Sequence, residues 1–204
     1  LGRIVEVVSK IPFADFLQER VLAPCDMKDT TFWPSKDQAK RIAKSYRPDQ
    51  KGELQQVEVR FLAGGISNRK RTPYPAGGLY STAGDVTRFY QMMLNGGTFN
   101  GKRVLKKETA ALMTQTQTGD IKTGFVEGMS WGLGFQVVKE PMGVTENLSA
   151  GTYGHGGAYA TQSWADPKRG IILVMMIQRA GFRNGDNSPV RKGFQEAAKK
   201  QLGR

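Results

Sequence analysis

Two short blocks of this 204-residue sequence hold residues whose types and spacing could do chemistry. One is Tyr153-Gly154-His155-Gly156-Gly157, which contains the only histidine in the chain. The stretch around it otherwise reads as strand. Glycine weakens a strand interior, so three glycines there mark close approach of a ligand or of another backbone. A histidine flanked by such small residues is a candidate site residue, because a substrate's backbone can lie against the strand and meet the imidazole. The plain alternative is a histidine that satisfies only local hydrogen bonds. One histidine and one cysteine, Cys25, do not make a metal cluster, so no metal is expected. The other block, Pro75-Ala76-Gly77-Gly78-Leu79-Tyr80-Ser81-Thr82-Ala83, is a Gly-rich turn running straight into a helix start. Its paired glycines serve a turn that needs positive φ.

The two blocks together resemble the serine β-lactamase and penicillin-binding-protein superfamily. Four stretches match it in order: residues 1–31, 75–97, 153–158 and 163–177. The superfamily includes class C-type β-lactamases, family VIII-type esterases, D-amino-acid peptidases and penicillin-binding carboxypeptidases. The resemblance therefore implies a fold and a reaction type, hydrolysis of an ester, amide or β-lactam through an acyl-serine intermediate, and no particular substrate. It implies no cofactor. Family members carry a Ser-x-x-Lys nucleophile pair, then Tyr-x-Asn, then Lys-Thr-Gly or His-x-Gly on a strand facing the site. Only the last is found here in place, as His155-Gly156-Gly157, and no Tyr-x-Asn triplet occurs. Ser67-Asn68-Arg69-Lys70 has the first spacing, but it lies after the opening helices within a basic loop and is read as a chance match. By resemblance, His155 stands near the substrate carboxylate, and the backbone N–H of Ala158 is one oxyanion-hole donor. Gly156, Gly157 and Tyr153 border the substrate. The chain is expected to begin just past the catalytic tyrosine, to lack the nucleophile and to be inactive alone. It is expected to oligomerise or to bind its missing half. The resemblance implies a periplasmic or secreted protein, although the first residues are not a signal peptide.

These residues must be positioned by an α+β arrangement: the C-terminal portion of the β-lactamase/transpeptidase-like fold, helices followed by an antiparallel sheet and a terminal helix. A single partial domain over 1–204 is expected, with 1–120 mainly helices and loops and 121–204 the sheet plus the C-terminal helix. Apolar spacing predicts an opening helix, interrupted at Pro12. Residues 30–71 read as a long polar loop with a short strand at 55–62. Thr82-Ala83-Gly84-Asp85 predicts a capped helix start, and Asn95-Gly96-Gly97 its end. Asn100-Gly101 predicts a tight turn, and 105–115 a short helix. Strands are predicted at 131–138, 152–156, 159–165 and 170–178, the last two joined by Asp166-Pro167-Lys168-Arg169-Gly170. Ser188-Pro189 opens the terminal helix. Trp131, Trp164 and the methionine pairs Met92-Met93 and Met175-Met176 are read as packing residues.

Hydrophobic residues make up 39% of the chain, enough for a packed core, and the longest apolar run, 171–177, is too short to cross a bilayer as a helix. The net charge of +12 fits a solvated surface. It also leaves open a non-catalytic basic module that holds a cell-wall polymer, a membrane or nucleic acid. No nucleic-acid-binding motif accompanies the charge, so that signal is weak.

Overall fold

The computed structural model describes residues 1–59, 65–123, 126–182 and 185–202. Helix α1 (Gly2–Ser9) ends at Lys10 in the left-handed conformation. Pro12 then starts α2 (Phe13–Leu17), which loosens into one turn of π-helix over Gln18–Leu22. Leu22 is buried, whereas Ile4, Val7 and Val8 of α1 are 61%, 50% and 78% exposed.

The long loop expected over 30–71 is corrected by the structure, which places a helix and a hairpin there. Helix α3 (Lys36–Lys40) forms because Ser35 and Gln38 cap it reciprocally, side chain to backbone in both directions. Strands β1 (Ser45–Pro48) and β2 (Leu54–Val57) pair antiparallel. Their turn is made by Asp49, whose Oδ1 accepts from the N–H groups of Lys51 and Glu53 at 2.8 and 3.0 Å. Short-range polar turn chemistry of this kind leaves little hydrophobic periodicity to read. The end of the strand expected at 55–62 falls on residues 60–62, outside the described residues.

Helix α4 (Ala83–Leu94) begins and ends as its sequence signals predict. The Thr82 hydroxyl accepts from the Asp85 N–H at 3.2 Å. Asp85 does not reach back to complete the box. Its carboxylate instead accepts from the Asp29 N–H (2.8 Å), the Thr30 hydroxyl (2.9 Å) and Arg88 (2.8 Å), tying the preceding turn to the helix. At the other end Gly97 (φ +87°) lets the chain pass under Leu105, where a Cβ would collide with the Leu105 carbonyl. Strands β3 (Thr98–Phe99) and β4 (Lys102–Arg103) turn on Asn100 and Gly101, both at positive φ, as expected of Asn-Gly. Helix α5 (Lys107–Thr114) follows.

The main sheet has five antiparallel strands in sequential order: β5 (Met129–Trp131), β6 (Gln136–Val138), β7 (Tyr153–Gly156), β8 (Gln162–Asp166) and β9 (Ile171–Met175). The single strand expected at 131–138 is corrected to a hairpin. Its turn holds Gly134 at φ +86° and a hydrogen bond from the Gly132 N–H to the Phe135 carbonyl at 2.8 Å. The β8–β9 turn closes on the Gly170 N–H to the Asp166 carbonyl at 2.9 Å, at the predicted place.

Alternation along the strands sends side chains to two faces. Phe135, Val137, Tyr153 and Ala165 meet Tyr90, Met92 and Met93 of α4 on one. Val138, Trp164, Ile171 and Leu173 meet Phe194 and Ala198 of the terminal helix α6 (Pro189–Leu202) on the other. Cys25 is fully buried in the first layer, and burial pushes its thiol pKa up.

Asp85 supplies the clearest test of this layer. Asp85→Ala removes the acceptor for three donors around a buried carboxylate and is expected to cost about 3 kcal/mol. For a chain of this size that lowers the melting temperature by on the order of 10 °C, measurable by thermal denaturation.

Candidate active site

Strand β7 is the middle of five, and the sequence of β7 explains how it can be both clamped and open. Gly154 faces Trp164 so closely that a Cβ would strike the Ser163 carbonyl and the indole. A Cβ on Gly156 would strike the Asp186 carboxylate and come within 2.7 Å of Gln162 Nε2. Both glycines are therefore required by what packs behind them. On the opposite face, Tyr153 and His155 follow each other by two residues, and only the first lies beneath α4.

His155 is exposed at the end of that strand, paired across the ladder with Ser163. Its Nδ1 lies at hydrogen-bond distance from the Gly156 carbonyl. A carbonyl only accepts, so Nδ1 carries the hydrogen of this contact. The Trp131 ring stands 5.3 Å from the imidazole, inclined at 59°. Below, the Tyr90 hydroxyl donates to the Ser163 carbonyl at 3.0 Å and lies 3.0 Å from the Ser163 hydroxyl. Burial pushes the Tyr90 phenol pKa up to about 12.

Past His155 the chain turns. The Gly157 N–H donates to the Thr161 carbonyl at 2.7 Å, and the Ala160 N–H to the Gly157 carbonyl at 2.9 Å, with Ala160 at φ 71°. Ala158 is exposed, and its N–H makes no hydrogen bond among the described residues. The turn thus consumes the Gly157 donor and leaves the Ala158 N–H without a hydrogen bond among the described residues. An exposed, uncommitted N–H of this kind can receive a carbonyl oxygen.

Of the residues expected at this site, His155, Gly156, Gly157 and Ala158 lie together along one turn. Tyr153 does not join them. It is buried, stacked near Tyr90 and edge-on to Phe135, because α4 covers that half of the strand. Its hydroxyl has no hydrogen-bond partner among the described residues. Ser67 and Lys70 are in a turn, not a helix. The Ser67 hydroxyl donates to the Pro34 carbonyl at 2.9 Å, and the Lys70 N–H to the Asn68 side chain. A cavity of about 440 Å³ opens beside them, lined by Trp33, Lys36, Ser67 and Arg69 among others, and no strand of the main sheet contributes to it. Among the described residues no group of three His, Cys, Asp or Glu could hold a metal ion.

Comparison with known proteins fixes the family. The model of the family described as Beta-lactamase matches residues 1–193. This chain belongs to the β-lactamase family. Among its relatives in that family, an uncharacterized protein of Mycobacterium tuberculosis is 32% identical over 214 residues, covering 98% of this chain and 51% of that protein. Penicillin-binding protein 4 of Amycolatopsis lactamdurans is 32% identical over 163 residues, covering 79% of this chain and 39% of the relative. Simvastatin synthase (LovD) from Aspergillus terreus shares the fold, with a TM-score of 0.78 at 23% identity over 98% of this chain and 53% of that one. The chain spans about half the length, or less, of the β-lactamase-family relatives it matches.

Sequence reasoning assigned Trp131 to packing and did not single out Asp186, Gln136 or Gln162. The signal available for the glutamines was their position. Gln136 and Gln162 occupy buried slots next to Val138 and Trp164 on the face toward α6. Trp131 gave no such signal, because its approach to His155 depends on the hairpin that splits 131–138.

Two measurements follow. The single histidine gives one imidazole Cε1–H signal by NMR, and Trp131→Leu should shift it by removing the indole ring current, while Trp33→Leu leaves it in place. Tyr153 is held neutral first by burial and then by its neighbour Tyr90, so its pKa lies above that of an ordinary phenol. The contribution of this raised phenol is fully present below pH 10 and is lost as pH rises through the folded-state value. Tyr153→Phe should therefore match the parent in denaturant midpoint at neutral pH, or exceed it, and should reduce the loss of stability between pH 9 and pH 11.

Proposed function

We propose that the chain forms the sheet-side wall of a serine hydrolase acting on an ester, amide or β-lactam through an acyl-serine, with the nucleophile carried by a segment outside these residues. The observation that carries this reading is the exposed Ala158 N–H, which makes no hydrogen bond among the described residues, in the turn that follows the central strand and His155. An oriented backbone donor of this kind stabilises a developing oxyanion by about 3 kcal/mol, roughly a hundredfold in rate. His155 and Gly157, both exposed, flank the Ala158 N–H along the same turn. Family membership supports the hydrolase class, and the relative named as a penicillin-binding protein supports an acyl-transfer substrate.

Two observations support a nucleophile held elsewhere. Ser67 is committed to a carbonyl in a turn, with nothing to hold Lys70 desolvated against it. Ile4, Val7 and Val8 leave an apolar helix face open, which fits a further segment packing on α1.

The test is labelling and turnover. The 204-residue chain should not be labelled by a fluorophosphonate or a β-lactam, and Ser67→Ala should change nothing. A longer form carrying a Ser-x-x-Lys helix should hydrolyse a p-nitrophenyl ester and lose about a hundredfold in kcat in Ala158→Pro, which deletes the donor. Labelling of Ser67 in the chain alone would overturn the assignment.

A further inference from the structure

Behind β7, on the face away from His155, lies a polar network that the proposed chemistry does not use. It centres on Asp186, in a single 3₁₀ turn over Gly185–Asn187 that leads into α6. One carboxylate oxygen accepts from Gln162 Nε2 at 2.9 Å, the other from Gln136 Nε2 at 3.1 Å. Gln136 belongs to β6 and Gln162 to β8, the two neighbours of β7, and Gln162 is the register partner of Gly156. The carboxylate lies where a Cβ of residue 156 would be, so it crosses the back of the strand at its glycine.

The network continues through Trp164 and Arg191, with Gln136 Oε1 and Arg191 Nη2 left without a hydrogen-bond partner among the described residues. The Gln162 Oε1 accepts from the Trp164 indole N–H at 2.8 Å. The Arg191 guanidinium stacks on the Trp164 ring at 3.9 Å and donates to the Asp186 carbonyl at 2.7 Å. Gln136, Gln162, Trp164 and Arg191 are all at most 1% exposed. Burying this many polar groups is costly unless they are paired, and each pairing fixes a geometry. A glycine strand has no side chains of its own to lock it on this face. The lock is supplied from outside by one carboxylate that spans it.

We propose that Asp186 is a positioning residue: by holding Gln136 and Gln162 across the back of Gly156, it fixes the stretch of β7 that presents His155 and the Ala158 N–H. What that stretch is presented to rests on the hydrolase reading above. The brace itself does not.

The experiment is amide exchange in the intact chain, read at the Gly157 N–H that donates to Thr161, together with the lone His155 imidazole signal. The control is Phe194→Ala, which removes packing of α6 on the sheet, including packing around Trp164, but none of the hydrogen bonds of the network. At matched loss of melting temperature, Asp186→Ala should speed Gly157 exchange at least tenfold more than Phe194→Ala and should shift or broaden the His155 signal, which the control leaves unchanged. Asp186→Asn keeps one acceptor oxygen and should fall between, and it carries the measurement if Asp186→Ala does not fold. Equal acceleration in Asp186→Ala and the control, or no acceleration in Asp186→Asn, would overturn the proposal. Absence of ester turnover in the longer form would instead sink the hydrolase reading and leave the exchange result standing.

Discussion

Everything in this structure depends on one strand being flat on its back. Strand β7 carries glycine at both positions that face α6, and what fills the space is not its own side chain but Trp164 and Asp186 reaching across from neighbours. A side chain at either position would push the strand toward α4 or break its ladder with β8. With glycine there, β7 sits deep between β6 and β8, and its last residue reaches the surface already aligned. The cost of glycine in a strand is entropic, of the order of 0.5–1 kcal/mol per residue. Two-sided burial of Tyr153 on the one face and of the indole on the other is large enough to offset it.

The two layers on either side of the sheet do different work. The α4 layer is aromatic and apolar, with Tyr90 as its one polar reach into the sheet. The α6 layer mixes Trp164, Leu173 and Phe194 with a buried arginine, whose pKa burial lowers to about 10. Apolar packing fixes how deep the sheet sits, but it is tolerant of small sliding. Hydrogen bonds with defined donors are not. The division places directional contacts on one face of β7 and mostly non-directional ones on the other.

The sequence made the punctuation legible and left the polar tertiary contacts hidden. Thr82, Asn95-Gly96-Gly97, Asn100-Gly101 and Ser188-Pro189 mark element ends through local hydrogen bonds and local φ, and the structure uses each of them as written. The order of the last strands and the central place of His155 were legible for the same reason, since alternation and turn residues are short-range signals. The helix at 36–40 and the hairpin over 45–57 were not, because Ser35, Gln38 and Asp49 act through side-chain caps within an otherwise polar run. The burial of Tyr153 was not legible as such, because strand alternation gives a face and not how far a covering helix extends along it. Asp186 acts on residues 24 and 50 positions earlier, a partnership that no local pattern encodes.

The open face of α1 sets how copies of the chain treat one another in solution. Ile4, Val7 and Val8 offer a short-range adhesive patch, while a net charge of +12 repels like molecules at long range. Ionic strength decides between them, since the Debye length falls from about 30 Å at 0.01 M salt to about 8 Å at 0.15 M. Dilute buffer therefore favours dispersed chains by charge, and physiological salt confines that repulsion to distances at which the exposed apolar face of α1 can also act.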